Sequence, residues 1–209
     1  MKKANFCFEA TTPLVYKKEE NGEIIIESFK DAFDKLKENE TIFVCGFDID
    51  PFENKSEMRW REAKMCKTKT NKIVEIFFIP NEFASSLEMD NIVRVTPNHI
   101  FPVLTKDGLK DREAYLLQTG DKIMFEKNRV FGDNEMPMFE EDGEIKIESI
   151  LEDHSQHSIE YRSIAKVYQN DTMVIETYYG VTMIDTTESN SRYFMICNSL
   201  ISHDSSVEY

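Results

Sequence analysis

A succession of short apolar runs broken by turn dipeptides constrains this chain more than any other feature. The runs cover residues 23–27, 41–47, 72–79, 92–96, 100–104, 122–126, 161–168, 173–179, 182–186 and 193–202. They are rich in Val, Ile, Phe and Tyr, whose branched or aromatic side chains fit a pleated, half-buried surface. Asn21-Gly22, Asp107-Gly108, Gly120-Asp121 and Asp142-Gly143 punctuate the chain, as reversals between strands require. Helical periodicity is scarce. Phe29, Phe33 and Leu36 fall on one helical face, and residues 111–117 read as a helical turn ahead of Gly120. Many strands and two short helices predict an all-β body. With 209 residues, the chain is one large domain, or one domain with an insertion, and can bury a substantial core.

Charge narrows the partners. The net charge is −14, from 39 acidic and 25 basic residues. Nucleic acid and anionic membrane both call for clustered Lys and Arg, so neither is expected. No run reaches the ~20 apolar residues of a membrane span. Residues 1–6 carry two lysines and no apolar stretch, so an export signal is not expected either. The expectation is a cytoplasmic monomer without a cofactor. Cys7, Cys45, Cys66 and Cys197 form no C-x-x-C pair, and a disulfide framework is not expected. Cys45 in "TIFVCGF" and Cys197 in "YFMICNSL" read as buried strand residues. Cys66, between lysines in "AKMCKTKT", reads as a half-exposed bystander. His154 and His157, in "EDHSQHS", read as loop residues rather than zinc ligands. Residues 127 to about 155 are acidic and unpatterned, and read as a surface insertion with little part in chemistry. No internal repeat or low-complexity tract is visible.

Three points along the chain carry residues suited to peptide-bond rearrangement. Cys7 follows only six residues, and its thiol can attack the preceding carbonyl and convert the Phe6–Cys7 amide to a thioester. That step is uphill and needs an oxyanion donor and a proton for the leaving nitrogen. Thr96 and His99, on a turn set by Pro97, offer a hydroxyl or backbone donor and an imidazole. Thr-x-x-His is common at strand ends, so the pair gains meaning only beside Cys7. Near the other end, "SLISHDSSVEY" presents His203, Asp204 and Ser205 in succession. His203 can polarise the Asp204 carbonyl, and the Ser205 hydroxyl can receive an acyl group from Cys7. An Asn at position 204 would cyclise and break the following bond. The carboxylate of Asp204 is a poorer nucleophile toward an amide, with an anhydride as its route.

These blocks resemble the Hint superfamily of inteins, bacterial intein-like domains and hedgehog autoprocessing domains. "CFEATTPLVYKKEENGEIIIESF", residues 7–29, is similar to the opening block. "VRVTPNHIFPVLTKDGLKDREAYLLQTGDKIM", residues 93–124, is similar to the second block, with Thr-x-x-His followed by Gly-Asp. "VTMIDTTESNSRYFMICNSLISHD", residues 181–204, is similar to the closing blocks. The resemblance implies a flat, horseshoe-like all-β fold with both junctions at one site, spanning residues 7–204. Residues 1–6 and 205–209 then become flanking (extein) segments, the only partners, attached in cis. By resemblance Cys7 is the first nucleophile, Thr96 and His99 activate the upstream junction, and His203 is the penultimate histidine. Ser205 is the downstream nucleophile, and Asp185 falls near the acid of the penultimate block or beside it. Asp204 stands where the family carries Asn, either as a frozen variant or as a native choice for cleavage over ligation. No endonuclease segment is visible, which implies a mini-intein acting once on itself. Hedgehog-like cleavage at a thioester alone, or an inert interaction module, are the alternatives.

Overall fold

The computed structural model describes residues 6–50, 55–79, 92–127, 151–184, 192–196 and 199–205. The chain is built on strands, as expected. In order they are β1 (Phe8–Glu9), β2 (Pro13–Lys17), β3 (Ile25–Ser28), β4 (Ile42–Asp50), β5 (Lys55–Phe78), β6 (Ile92–Val95), β7 (Ile100–Thr105), β8 (Gly108–Glu113), β9 (Lys122–Glu126), β10 (Gln156–Met183), β11 (Tyr193–Met195) and β12 (Ile201–His203). The main path through the sheet is β12-β11-β4-β5-β6-β1-β10-β9-β7-β8, and β5 pairs with β10 as well.

Two very long strands organise this path. In β5, Ser56, Met58 and Trp60 turn inward while Glu57, Arg59 and Arg61 turn to the rim, the period-two alternation of a half-buried strand. Charged residues fill its outward positions, so only the last third, 72–78, is apolar enough to read as a strand from sequence. The three runs expected across 161–186 are one strand, β10. Its register descends along β5 as β10 ascends, with Tyr178 opposite Thr68, Gly180 opposite Cys66 and Met183 opposite Ala63. Along 159–163, β10 pairs instead with β9. His157 belongs to this strand, not to a loop, and is buried. The single strand expected over 193–202 is a tight reversal. Tyr193 pairs with His203, and Ser199 takes a φ of 67° at the turn.

Helix α1 (Phe29–Lys35) forms where periodicity predicted it. The Ser28 hydroxyl accepts from the Asp31 N–H and caps its first turn. Phe29 and Ala32 are buried, and Phe33 and Leu36 pack at the edge of the same cluster. The helical turn expected over 111–117 is shorter: β8 runs to Glu113, and one 3-10 turn follows at Ala114–Leu116. The largest core cluster joins Phe8, Phe29, Val95, Phe101, Phe194 and Leu200. Burying one such Phe contributes roughly 1.5–3 kcal/mol. Because β1, β7 and β11 all feed this cluster, it fixes both ends of the chain against the Thr96–His99 turn. No helix among the described residues is long and apolar enough to cross a membrane.

Candidate active site

Strand register brings the site together. Phe8 pairs with Val95 on β6 and with Tyr179 on β10. One step back along β1, Cys7 therefore faces Thr96 on one side and Gly180 on the other. The Cys7 N–H donates to Thr96 Oγ1 at 3.1 Å, and the Thr96 N–H donates to the Cys7 carbonyl at 2.9 Å. The His99 N–H closes the turn onto the Thr96 carbonyl at 3.0 Å. Ala114 and Tyr115 brace that turn by donating to the His99 and Pro97 carbonyls.

The far end of the chain lands on the same spot. The Ser205 N–H donates to the Val181 carbonyl at 2.7 Å, which seats residue 205 beside Gly180. From there the Ser205 hydroxyl donates to the Phe6 carbonyl at 2.5 Å. Gly180 makes this approach possible, because a Cβ there would collide with Ser205 Oγ and the Phe6 carbonyl oxygen. Phe6, Cys7, Thr96, His99, His203, Asp204 and Ser205 are all buried. Asp185 lies outside the described residues, as does Cys197.

The surroundings shift the two histidines in opposite directions. His99 sits among Phe6, Phe8 and Phe101, with ring centroids at 6.4, 4.4 and 4.8 Å. Burial, and then the charge on His203, hold its pKa down to about 3, so the ring is neutral at pH 7. Its Nε2 lies 2.5 Å from Ser202 Oγ, while Nδ1 has no hydrogen-bond partner among the described residues. His203 points Nδ1 at the Asp204 carbonyl oxygen, 2.9 Å away. Burial disfavours its charged form, but the hydrogen bonds and charge of Asp204 outweigh this and raise its pKa. The Phe6 ring meets both imidazoles edge-on.

Asp204 is held firmly. Its Oδ2 accepts from the Met183 N–H at 2.8 Å and from Arg192 at 3.0 Å, and its own N–H donates to the Arg192 carbonyl. Sequence reasoning singled out neither Arg192, Gly180 nor Ser202. Cys66, expected to be a bystander, packs with Cys7 in one small cluster, and a methyl at Gly180 would touch both its sulfur and Ser205 Oγ. A lysine-flanked cysteine gives no local sign of this. Only the pairing of Cys66 with Gly180 places it there.

No protein-family model and no curated protein matches the sequence. Solved structures do match. An intein from a hyperthermophile aligns with a TM-score of 0.57 at 12% identity, over 96% of this chain and 100% of that one. The transcription factor IIB Mvu mini-intein aligns with a TM-score of 0.55 at 15% identity, over 96% and 100%. A DnaB intein from Synechocystis sp. PCC 6803 aligns with a TM-score of 0.52 at 15% identity, over 96% and 99%. At such identities what is shared is architecture, and the chain carries the all-β Hint fold of inteins.

Proposed function

We propose that the chain processes itself, moving the acyl group of residues 1–6 from nitrogen to the Cys7 sulfur and then to Ser205. The observation that carries this is the hydrogen bond from the Ser205 hydroxyl to the Phe6 carbonyl, between residues 199 apart in sequence. Such juxtaposition replaces a bimolecular encounter with an oriented contact, an effect that can be worth about 7–11 kcal/mol of barrier.

In this reading Thr96 holds the Cys7 nitrogen and favours its departure. His99, neutral and with Nδ1 free, serves proton transfer at that nitrogen. Ser205 polarises the Phe6 carbonyl before it becomes the second acceptor. His203 polarises the Asp204 carbonyl for the downstream break, which the clamped Asp204 carboxylate serves slowly. Residues 1–6 and 205–209 act as flanking segments in cis, around a catalytic unit of residues 7–204. Asp185 keeps the role of candidate acid near the downstream junction. The clamp on Asp204 favours self-cleavage over ligation as the dominant outcome.

Incubation of the purified chain with dithiothreitol tests this by intact mass. The expected result is loss of residues 1–6 from the natural chain and none from Cys7→Ala. An unchanged mass after long incubation of the natural chain would overturn the proposal.

A further inference from the structure

Cys7, Gly180 and Cys66 form one row across three strands, since Cys7 faces Gly180 across the β1–β10 pair and Gly180 is registered opposite Cys66 on β5. Gly180 carries no side chain, so the two thiols meet across the gap it leaves. A Cβ there would lie 3.4 Å from Cys66 Sγ. Cys66 joins Cys7, Ile73 and Tyr178 in one small cluster, and the thiols of both cysteines are free. Its sulfur thus lies beside both nucleophiles of the proposed reaction: it packs against Cys7, and it shares with Ser205 Oγ the space that a Gly180 side chain would fill. Two strand spacings put the cysteine backbones roughly 10 Å apart, beyond the ~7 Å that a disulfide spans. The arrangement suits passing a proton rather than forming a bond.

We infer that Cys66 is a catalytic residue, the proton acceptor shared by Cys7 and Ser205 in the two acyl transfers. The inference rests on the self-processing reading above. In the first transfer the Cys7 thiol gives its proton to the Cys66 thiolate, the bond from Cys7 sulfur to the Phe6 carbonyl carbon forms, and the carbon–nitrogen bond breaks. The nitrogen takes up one proton and Cys66 gives one up, so the step is an isomerisation with no net proton change. In the second transfer the Ser205 hydroxyl gives its proton to the restored thiolate and its oxygen attacks the thioester. Cys7 then leaves as a thiolate and receives that proton from Cys66. The Ser205 hydroxyl carries one proton and faces two acceptors, the Phe6 carbonyl and Cys66. Turning from the first to the second converts it from an oxyanion donor to a nucleophile.

Electrostatics agree with this division of labour. The hydrogen bond to Cys7, opposed by burial and supported by Ser205 and Thr182, brings the Cys66 thiol down to about 7. The same contact, then burial, pushes the Cys7 thiol up. Asp204, after β12, opposes the charge on Cys66. Lys64 and Lys67 flank Cys66 on its own strand, and Lys67 is turned onto the Phe33 ring. Of the two thiols, Cys66 is therefore the one that loses its proton more readily.

The test is the pH dependence of dithiothreitol-induced release of residues 1–6, followed by mass in the natural chain, Cys66→Ser, Cys66→Ala and Cys7→Ala. The natural rate is expected to rise through a midpoint near 7. Both Cys66 variants should be slower by about 10²-fold, the contribution of a positioned general base, with the rise displaced above pH 8, toward the ordinary thiol range. Cys66→Ser keeps the shape and the hydroxyl hydrogen bonds, so circular dichroism matching the natural chain separates lost chemistry from lost folding. Release from Cys66→Ser with natural rate and natural pH profile would overturn the role of Cys66 alone. Release from Cys7→Ala equal to that of the natural chain would instead overturn the self-processing reading, and this inference with it.

Discussion

The two proposed junctions meet at one buried point yet are held by opposite electrostatics. At the upstream bond the contacts to the amide itself come from neutral groups: the Thr96 hydroxyl on the Cys7 nitrogen, the Ser205 hydroxyl on the Phe6 carbonyl, and nearby a His99 ring that burial keeps uncharged. At the downstream bond the contacts are ionic: the Asp204 carboxylate lies between Arg192 and the Met183 N–H, and its charge raises the pKa of His203. In a buried junction, fixed donors act most strongly on charge that develops at a reacting carbonyl. A clamped carboxylate has its lone pairs engaged and turned toward other donors, so it attacks its own carbonyl poorly. On the proposed reading, the upstream bond is set to move and the downstream bond is set to wait.

The most forceful way to break this contrast is Asp204→Asn. The amide removes the clamped charge and provides a cyclising nitrogen. Cleavage after residue 204 is expected to rise on the order of 10²-fold, comparable with gaining one positioned catalytic group. The appearance of free residues 205–209 by mass checks it, and an unchanged rate would mean that the clamp does not set the balance. Gly180→Ala attacks the contact between the junctions instead. Its methyl group displaces Ser205 from the Phe6 carbonyl, and transfer to Ser205 should fall about 10²-fold, as expected for an ångström-scale misplacement. Release of residues 1–6 by added thiol should persist, which quantitative mass spectrometry of the two products resolves.

Stability against pH sharpens the contrast at smaller scale. His99 has a folded pKa of about 3, against about 6.5 in an unfolded chain. Between those values the unfolded chain binds a proton that the folded chain refuses, so stability falls as pH drops through that window, by up to about 1.4 kcal/mol per unit. His203 has a raised pKa, so its contribution is fully present below about 6.5 and is lost as pH rises through its folded value. His99→Phe should therefore flatten the pH dependence of the urea midpoint between about pH 6.5 and 4, whereas His203→Gln should lower the midpoint by a constant amount in that range and change its slope only above it. Equal slopes for both variants would remove the distinction. The smallest effect is expected for Tyr193→Phe. The Tyr193 hydroxyl donates to Asp111 at 2.7 Å, and its ring lies against His203. Losing that bond should cost about 1 kcal/mol in denaturant unfolding and leave upstream release unchanged.

How much of this was legible before the structure depends on whether the information was local. The apolar runs at 41–47 and 92–104 and the Thr96–His99 turn carry their own signal, and each stands where it was expected. Strand β5 was hidden in its first two thirds because Glu57, Arg59 and Arg61 fill the outward positions that alternation leaves to solvent. The break between β11 and β12 was hidden because the run is apolar throughout, and its turn uses Ser199 rather than Gly or Pro. Cys7, His203 and Ser205 were readable as candidates from residue type and order, and the fold brings them together. Cys66, Gly180, Ser202 and Arg192 were not, because each acquires its place only through pairing with a distant segment. Residue type suggested the chemistry, and long-range register determined which groups touch.

The central claim is that the Phe6 acyl group lies within reach of both Cys7 and Ser205, and it has a direct covalent test. Tryptic digestion of the incubated natural chain, read by tandem mass spectrometry, should reveal a branched peptide carrying residues 4–6 as an ester on Ser205, absent from Cys7→Ala and from Ser205→Ala. Only linear peptides spanning the intact Phe6–Cys7 bond, with no branch at any time or pH, would contradict it.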